Sequence, residues 1–416
     1  MKKKVIKNCD YIIEYCLYIL IFCLPFTKAG MQAFCCLAIF FWLIKKIVGA
    51  EIPIKKPLKL TNLNKPLLVF IIVCALSTIV SVDFGLSSKA LLTKVIKNAI
   101  IIFLVVETIN DKRRLRNILT VVIVSTSLIV IDAGIQYFSG RDFLRGFTPL
   151  GPRLQASFNN PNGFGGWLIV IMPILLGIIF SKQFMRGITK KIAICVIFVL
   201  LLFCLGMSYS RSSWIGFIIS FGLIICYSFS LLNIRFKILL VVIILAFLTV
   251  VFFTMPQIMK ERTPNFLPKA IKDRITSISS IENSSLFRIN LWRESLEIIE
   301  DFPVFGVGLN TYSNIGPIYA KAGGGYYPHN SYLQMAAEIG AVGLICFLWF
   351  ILELFRLGLH TLKQTKDSLL LGLLGAIAAF LGQSFFDVNL YALQLATLFW
   401  FVLGLTIARI KILTEA

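Results

Sequence analysis

Acidic side chains and histidine are scarce in this chain. It holds 20 Asp and Glu against 41 Lys and Arg, and only two histidines, His329 and His360. Charged residues make up 15% of it, where a soluble domain carries about a quarter. No GxxxxGK[ST] run occurs, so no phosphate loop for ATP is present. There is no HExxH. The ten cysteines include no CxxC pair, Cys35 and Cys36 being adjacent. That pattern excludes a zinc ribbon, and with none of the ten between 255 and 328 no disulfide framework is expected there. Tandem repeats and low-complexity tracts are absent as well.

What fills the chain is hydrocarbon. Hydrophobic residues are 58% of it, and the mean hydropathy is +0.86. Apolar runs of about 20 residues, the length that crosses about 30 Å as helix, recur from end to end. They predict an all-α polytopic membrane protein of about twelve transmembrane helices, near 11–27, 31–48, 66–82, 90–108, 117–138, 162–181, 190–208, 212–232, 236–254, 331–355, 367–387 and 390–408. No small-residue cleavage site follows the first run, so it reads as a span rather than a signal peptide. The whole chain reads as one membrane domain, 1–416, with one large loop, 255–330.

The net charge of +21 would suggest nucleic acid in a soluble protein. Here the positive-inside rule accounts for it, and no nucleic-acid partner is expected. Alternate connections hold most of the Lys and Arg, including Lys2–Lys4, Lys45–Lys65, Lys112–Arg116, Lys182–Lys191, Arg356–Lys366, Arg409 and Lys411. The short loops of the other set hold only Lys28, Lys89, Arg141, Arg145, Arg153 and Arg211. This asymmetry predicts an inner, cytoplasmic-membrane protein with both termini in the cytoplasm and the 255–330 loop outside. Within that loop Ser284/Ser285 are placed to cap a helix from Leu286 to Ile299, near 286–300, stopped by Pro303.

Several residues on the outer side are candidates for chemistry. Arg211 stands among serines at the end of a span, where it either faces a wet pocket or snorkels to the headgroups. Arg288 lies in the loop helix, where a solvated arginine is the ordinary expectation. His329, in Tyr327-Pro328-His329-Asn330-Ser331, sits at a helix start behind Gly323-Gly324-Gly325. There an imidazole serves as a base, a phosphate ligand or a cap. Arg141, Arg145 and Arg153 share one loop against the orientation rule, which suggests an anionic ligand or lipid headgroups. Lys94, Lys97 and Asp132 lie within spans, to pair there or line a cavity. Asp387 closes the eleventh span. No DxD occurs on this side and its carboxylates are scattered, so no metal is expected.

Three blocks together resemble the O-antigen ligase family of polytopic bacterial membrane proteins, which also includes O-antigen polymerases and protein-linking oligosaccharyltransferases. The first is Ser210-Arg211-Ser212-Ser213-Trp214-Ile215-Gly216. The second runs from Phe287-Arg288 through Trp292 to Pro303-Val304-Phe305-Gly306-Val307-Gly308-Leu309. The third is His329-Asn330-Ser331-Tyr332-Leu333-Gln334 with Glu338-Ile339-Gly340 and Gly343-Leu344. Phe158-Asn159-Asn160-Pro161-Asn162 is a weaker match. The resemblance implies a GT-C-like architecture and a glycan donor on undecaprenyl pyrophosphate, with no cofactor and no metal. It implies transfer to a glycolipid, glycan or protein acceptor beside the lipid bilayer. It maps Arg211, Arg288 and His329 as catalytic and matches Asp387 to a family carboxylate. Asn162 and Asn330, which stand in these blocks, and Asp387 are expected to bind substrate, as are Arg141, Arg145 and Arg153 on the charge argument above. Ligase and polymerase are not separated by these blocks. A membrane transporter is the reading from a different class. It would place the weight on Lys94, Lys97 and Asp132, and it predicts similarity between the two halves, which the sequence does not display.

Overall fold

A computed structural model describes residues 2–49, 63–149, 151, 153–181, 183–184, 187–229, 281–319 and 327–415. The predicted span 236–254, the loop from 255 to 280 and the glycine run 323–325 lie outside the described residues. Among the described residues the regular elements are all helices. In chain order they are α1 (Lys2–Cys23), α2 (Lys28–Gly49), α3 (Asn64–Ile79), α4 (Phe84–Ala90), a π-helical stretch (Leu91–Ile96), α5 (Lys97–Thr108) and α6 (Lys112–Ser139). There follow α7 (Pro161–Phe180), α8 (Ile188–Met207), α9 (Arg211–Phe229), α10 (Ile281–Asp301), α11 (Tyr312–Tyr319), α12 (Ser331–Thr365), α13 (Ser368–Ser384) and α14 (Leu393–Thr414). Among the described residues six helices are long and apolar enough to cross a membrane: α2, α6, α7, α8, α12 and α14. The shorter apolar helices α3, α9 and α13 join them, and α1 and α5 pack into the same core.

The helix starts follow from local sequence. The side chains of Asp83, Asp111, Asn160, Asn330 and Asp367 each accept a first-turn amide of the helix that follows, which satisfies donors the helix itself cannot. Pro161 occupies the first turn of α7, where its missing N–H is no loss.

The bundle closes where small residues let backbones touch. A Cβ added at Gly177 would stand 2.7 Å from the Ser368 carbonyl oxygen, one at Gly372 2.4 Å from that of Pro173, and one at Gly216 2.5 Å from that of Ala379. These contacts lock α7, α9 and α13 together, as is usual where the surroundings are lipid and tight packing must supply the association. Trp167, Phe380 and Phe399 are fully buried in the core around them.

α12 is broken at Gly340, whose φ of 72° and ψ of 172° are not helical. The break exposes backbone groups, and the segment after α10 takes them up as a strap. Val307 N–H donates to Ala337 O (3.0 Å), Gly308 N–H to Glu338 O (2.8 Å), and Ala341 N–H to Pro303 O (2.8 Å). The strap's other edge meets the α3–α4 turn, where Val82 N–H donates to Val307 O (3.1 Å). A Cβ at position 340 would fall 2.0 Å from Val304 O, so glycine is required there by both conformation and space.

Two expectations need correction. The loop helix begins by Ile281, so Ser284 and Ser285 lie inside it and do not cap it; its end at Asp301, ahead of Pro303, falls as expected. At the start of α12 the cap is Asn330, whose side chain accepts from Tyr332 N–H (2.9 Å) and Leu333 N–H (3.1 Å). His329 stands just outside with φ of 47°, which frees its ring for another task.

Candidate functional site

The helix starts of α7, α9 and α12 and the α13–α14 turn meet at one end of the bundle, and the α6–α7 loop folds over them. Asp387, in that turn, is the centre of the charges. Its Oδ1 lies 3.7 Å from His329 Nδ1, beyond a hydrogen bond but within ion-pair range, and accepts from the Val388 amide at 2.8 Å. Its Oδ2 accepts from Asn162 Nδ2 at 2.9 Å. Burial alone would raise the pKa of Asp387. The histidine, the Val388 amide and Asn162 outweigh it and hold the carboxyl below its usual value.

Asn162 passes the contact on. Its Oδ1 accepts from the Arg153 guanidinium at 2.7 Å, and Arg153 Nε donates to Ser208 O at 3.0 Å. Leu154 N–H donates to Met207 O (2.9 Å), so the α6–α7 loop is pinned to the end of α8. Burial lowers the pKa of Arg153; Asp387 opposes this, and Arg211 and Arg288 add to it by repulsion. Arg288 likewise has its pKa lowered by burial, opposed by Asp387 and reinforced by Arg211. Arg153 and Arg288, from two segments, are therefore close enough to feel one carboxylate, and both feel Arg211 from a third. Such a set carries excess positive charge in partly buried surroundings, which an anion with several oxygens would neutralise.

The supports of this cluster are specific. Gln383 Nε2 donates to Ser213 Oγ (2.9 Å) and to Asn162 O (3.2 Å), tying α13 to the first turns of α9 and α7. Ser213 Oγ bonds Ser210 Oγ at 2.7 Å, so the serines around Arg211 bond one another and order the turn into α9. Trp292, one turn beyond Arg288, donates its indole N–H to Pro328 O at 2.9 Å and stands edge-on to Phe385 at 5.7 Å. That contact sets the α10 helix against the backbone next to His329. Ser331 Oγ donates to Asp387 O (2.8 Å).

The structure thus brings together His329, Arg211, Arg288, Arg153, Asn162 and Asp387 at one locus, with Asn330 beside them as the cap of α12. It does not bring Arg141 and Arg145 there. Arg145 donates to Ser157 O (3.0 Å) and Asn159 Oδ1 (3.1 Å) and stacks on the Phe147 ring (4.5 Å), so it shapes its own loop. Arg141 is exposed. The intramembrane charges do not pair as a set either. Asp132 accepts from Ser157 Oγ (2.7 Å) and Phe143 N–H (2.9 Å), while Lys94 bonds Asn310 and faces Glu338. Sequence reasoning gave Gln383, Ser208 and Trp292 no part in the site. A lone amide in an apolar span is a signal for Gln383; nothing in the sequence marks Ser208, which acts through its carbonyl.

The fold and this locus define a class: a helical membrane protein with an arginine–histidine–carboxylate site at one end of its bundle. Residues 196–348 match a family model described as O-Antigen ligase (Wzy_C), so this stretch is similar to an O-antigen ligase-like family. Arg211, Arg288 and His329 lie within the matched stretch; Arg153, Asn162 and Asp387 lie outside it. Residues 16–141 match a family of unknown function (DUF5935). No curated protein matches the chain. The family supports a function of the O-antigen ligase or polymerase type in general.

Proposed function

We propose that this protein transfers a glycan from undecaprenyl pyrophosphate to an acceptor hydroxyl at the outer face of the cytoplasmic membrane, without a metal and with inversion. One observation carries the reading: Arg153 and Arg288 face the carboxylate of the His329–Asp387 pair, with Arg211 close enough to act on both. The arginines receive the diphosphate through forked, charge-assisted hydrogen bonds. Asp387 faces Nδ1 of His329, which favours a proton on that nitrogen and leaves the Nε2 lone pair for the acceptor. The acceptor oxygen then attacks the anomeric carbon, and its proton passes to Nε2. The bond from that carbon to the diphosphate oxygen breaks, its electron pair leaves with the diphosphate, and the arginines stabilise the growing charge where water is scarce. A single displacement inverts the anomeric centre. No second carboxylate placed as a nucleophile is needed for this route.

The same chemistry serves a ligase, whose acceptor is a glycolipid or protein, and a polymerase, whose acceptor is a growing glycan. Incubating the purified protein with a polyprenyl-pyrophosphate oligosaccharide and each acceptor in turn, followed by mass spectrometry, tests the reading. A product carrying the oligosaccharide on the acceptor supports it and names the acceptor. Intact donor with every acceptor, or movement of a small solute across proteoliposomes without transfer, rejects it.

A further inference from the structure

Glu338 lies two helical turns beyond Asn330 on α12 and is fully buried, away from the cluster described above. Its Oε1 accepts from Gln334 Nε2 (2.9 Å) and its Oε2 from the backbone N–H of Asn310 (2.8 Å). Its own carbonyl accepts from Gly308 N–H (2.8 Å) and Ser77 Oγ (3.0 Å). Lys94, in the π-helical stretch, and Tyr391, in the α13–α14 turn, face the same carboxylate. Asn310 holds a φ of 62°, a conformation an ordinary side chain adopts only when its surroundings enforce it. One residue therefore fixes both the sharp turn that ends the strap and the broken helix beneath it.

The strap is continuous with α10, and α10 carries Arg288. Thirteen residues of helix separate Arg288 from Asp301, about 20 Å at 1.5 Å per residue. The end of α10 is clamped by Ile298, Val307, Tyr312 and Ala337 packed together, and by the Ser295–Tyr312 hydroxyl contact at 2.8 Å. Near Arg288 the helix has the Trp292–Pro328 bond. A tilt of the strap thus acts on a long arm whose other end is a guanidinium in the site. Reacting groups displaced by about 1 Å lose on the order of a hundredfold in rate.

We propose that Glu338 is a positioning residue for the transfer reaction, holding Arg288 beside His329 and Asp387 by anchoring the strap at Asn310 and Gly308. The proposal rests on the transferase reading above. Two carboxylate oxygens are needed because the Asn310 amide, Gln334 Nε2 and the Tyr391 hydroxyl converge on them beside Lys94. In Glu338→Gln the charge facing Lys94 is lost, and even if the Gln334 amide turns over to meet the new NH2 group, a single oxygen is left for the Asn310 amide and Tyr391.

The test uses the full-length protein and a synthetic polyprenyl-pyrophosphate oligosaccharide. Glu338→Gln should lower kcat at least tenfold while KM for the donor stays within about twofold, since Arg153 and Arg211 still meet the diphosphate. Hydrogen exchange at Val307–Asn310 should quicken in the same variant. Gln334→Ala, which leaves the Asn310 bond intact, should keep kcat near wild type. If Glu338→Gln does not fold, Ser77→Ala removes a hydroxyl from the Glu338 carbonyl alone and should show the same kcat-only loss in milder form. Faster strap exchange with unchanged kcat overturns the positioning role and leaves the transferase reading standing. A rise in donor KM that matches the loss in kcat/KM overturns it too, by making Glu338 a binding group. No turnover in the wild-type protein removes the transferase reading itself, which the exchange arm, measured without donor, distinguishes.

Discussion

A guanidinium and a carboxylate are neighbours here only because an amide stands between them. Asn162 donates to Asp387 and accepts from Arg153, so loss of Arg153 should leave this relay, and the proposed diphosphate contact, incomplete. Arg153→Ala, Arg211→Ala, Arg288→Ala and His329→Ala are each expected to lower transfer at least a hundredfold with protein yield preserved, measured as product by mass spectrometry. Arg211→Lys should recover little, because a point charge lacks the fork. Asp387→Asn should cost about a hundredfold in kcat, because the His329 ring loses its orienting charge. Asp387 also sets a sign for pH. Its pKa is depressed in the folded protein, so its ionisation stabilises the fold above the ordinary carboxylate pKa of about 4, and that contribution vanishes as pH falls through the lower folded value. Thermal melts of wild type and Asp387→Asn should therefore converge at strongly acid pH and separate near neutrality. Melts that differ equally at all pH values would show that Asp387 stabilises by packing alone.

At the scale of elements, two devices place the side chains. The first is the capped start. Asn330 satisfies two amides of α12, and Asn330→Ala should cost about 1 kcal/mol of stability, seen as a lower apparent Tm in detergent. Its activity loss should exceed what that destabilisation explains, because His329 is the next residue. The second is the strap against the break in α12. At Gly340 an alanine must adopt a φ of 72° and bring its Cβ to 2.0 Å from Val304 O. Strain of that kind costs on the order of 1–3 kcal/mol before the clash is added, so Gly340→Ala should fold poorly or melt several degrees lower. Spans were legible in the sequence at this scale because hydropathy is local: 162–181, 190–208 and 367–387 differ from α7, α8 and α13 by a few residues. The break at Gly340 was not legible, since its cause is a strap more than thirty residues upstream.

For the whole molecule the question is which end of the bundle faces outward. The site gathers the starts of α7, α9 and α12, and the opposite end carries a buried Arg409 bonded to Asp367 at 3.0 Å and to Gln183 at 3.1 Å. If the arginine site lies outside, a membrane-impermeant maleimide should label Arg141→Cys in intact cells, while His360→Cys, also exposed, should label only after permeabilisation. The reverse pattern would turn the site to the cytosol and remove the proposed donor. Arg211, Arg288 and His329 were recognisable in the sequence as short motifs, and their gathering was expected from the resemblance alone; the exclusion of Arg141 and Arg145 from the cluster was not legible. Those two follow the same loop rule as Arg153, and only the pinning of residues 153–154 to the end of α8 separates them.

By itself the sequence determined the helical membrane class, the positions of apolar helices such as α7, α8 and α13, and the identities of the charged residues available near one face. Each of these depends on composition within a window of about twenty residues, where burial in hydrocarbon is decided locally. The tertiary structure alone decided that Asn162 meets Asp387 across 225 residues, that His329 is released from capping by Asn330, and that a strap from the α10 segment fills the gap in α12. Such pairings arise because small residues let particular helices approach and because every backbone group freed in the bilayer must find a partner. Neither condition is visible one helix at a time.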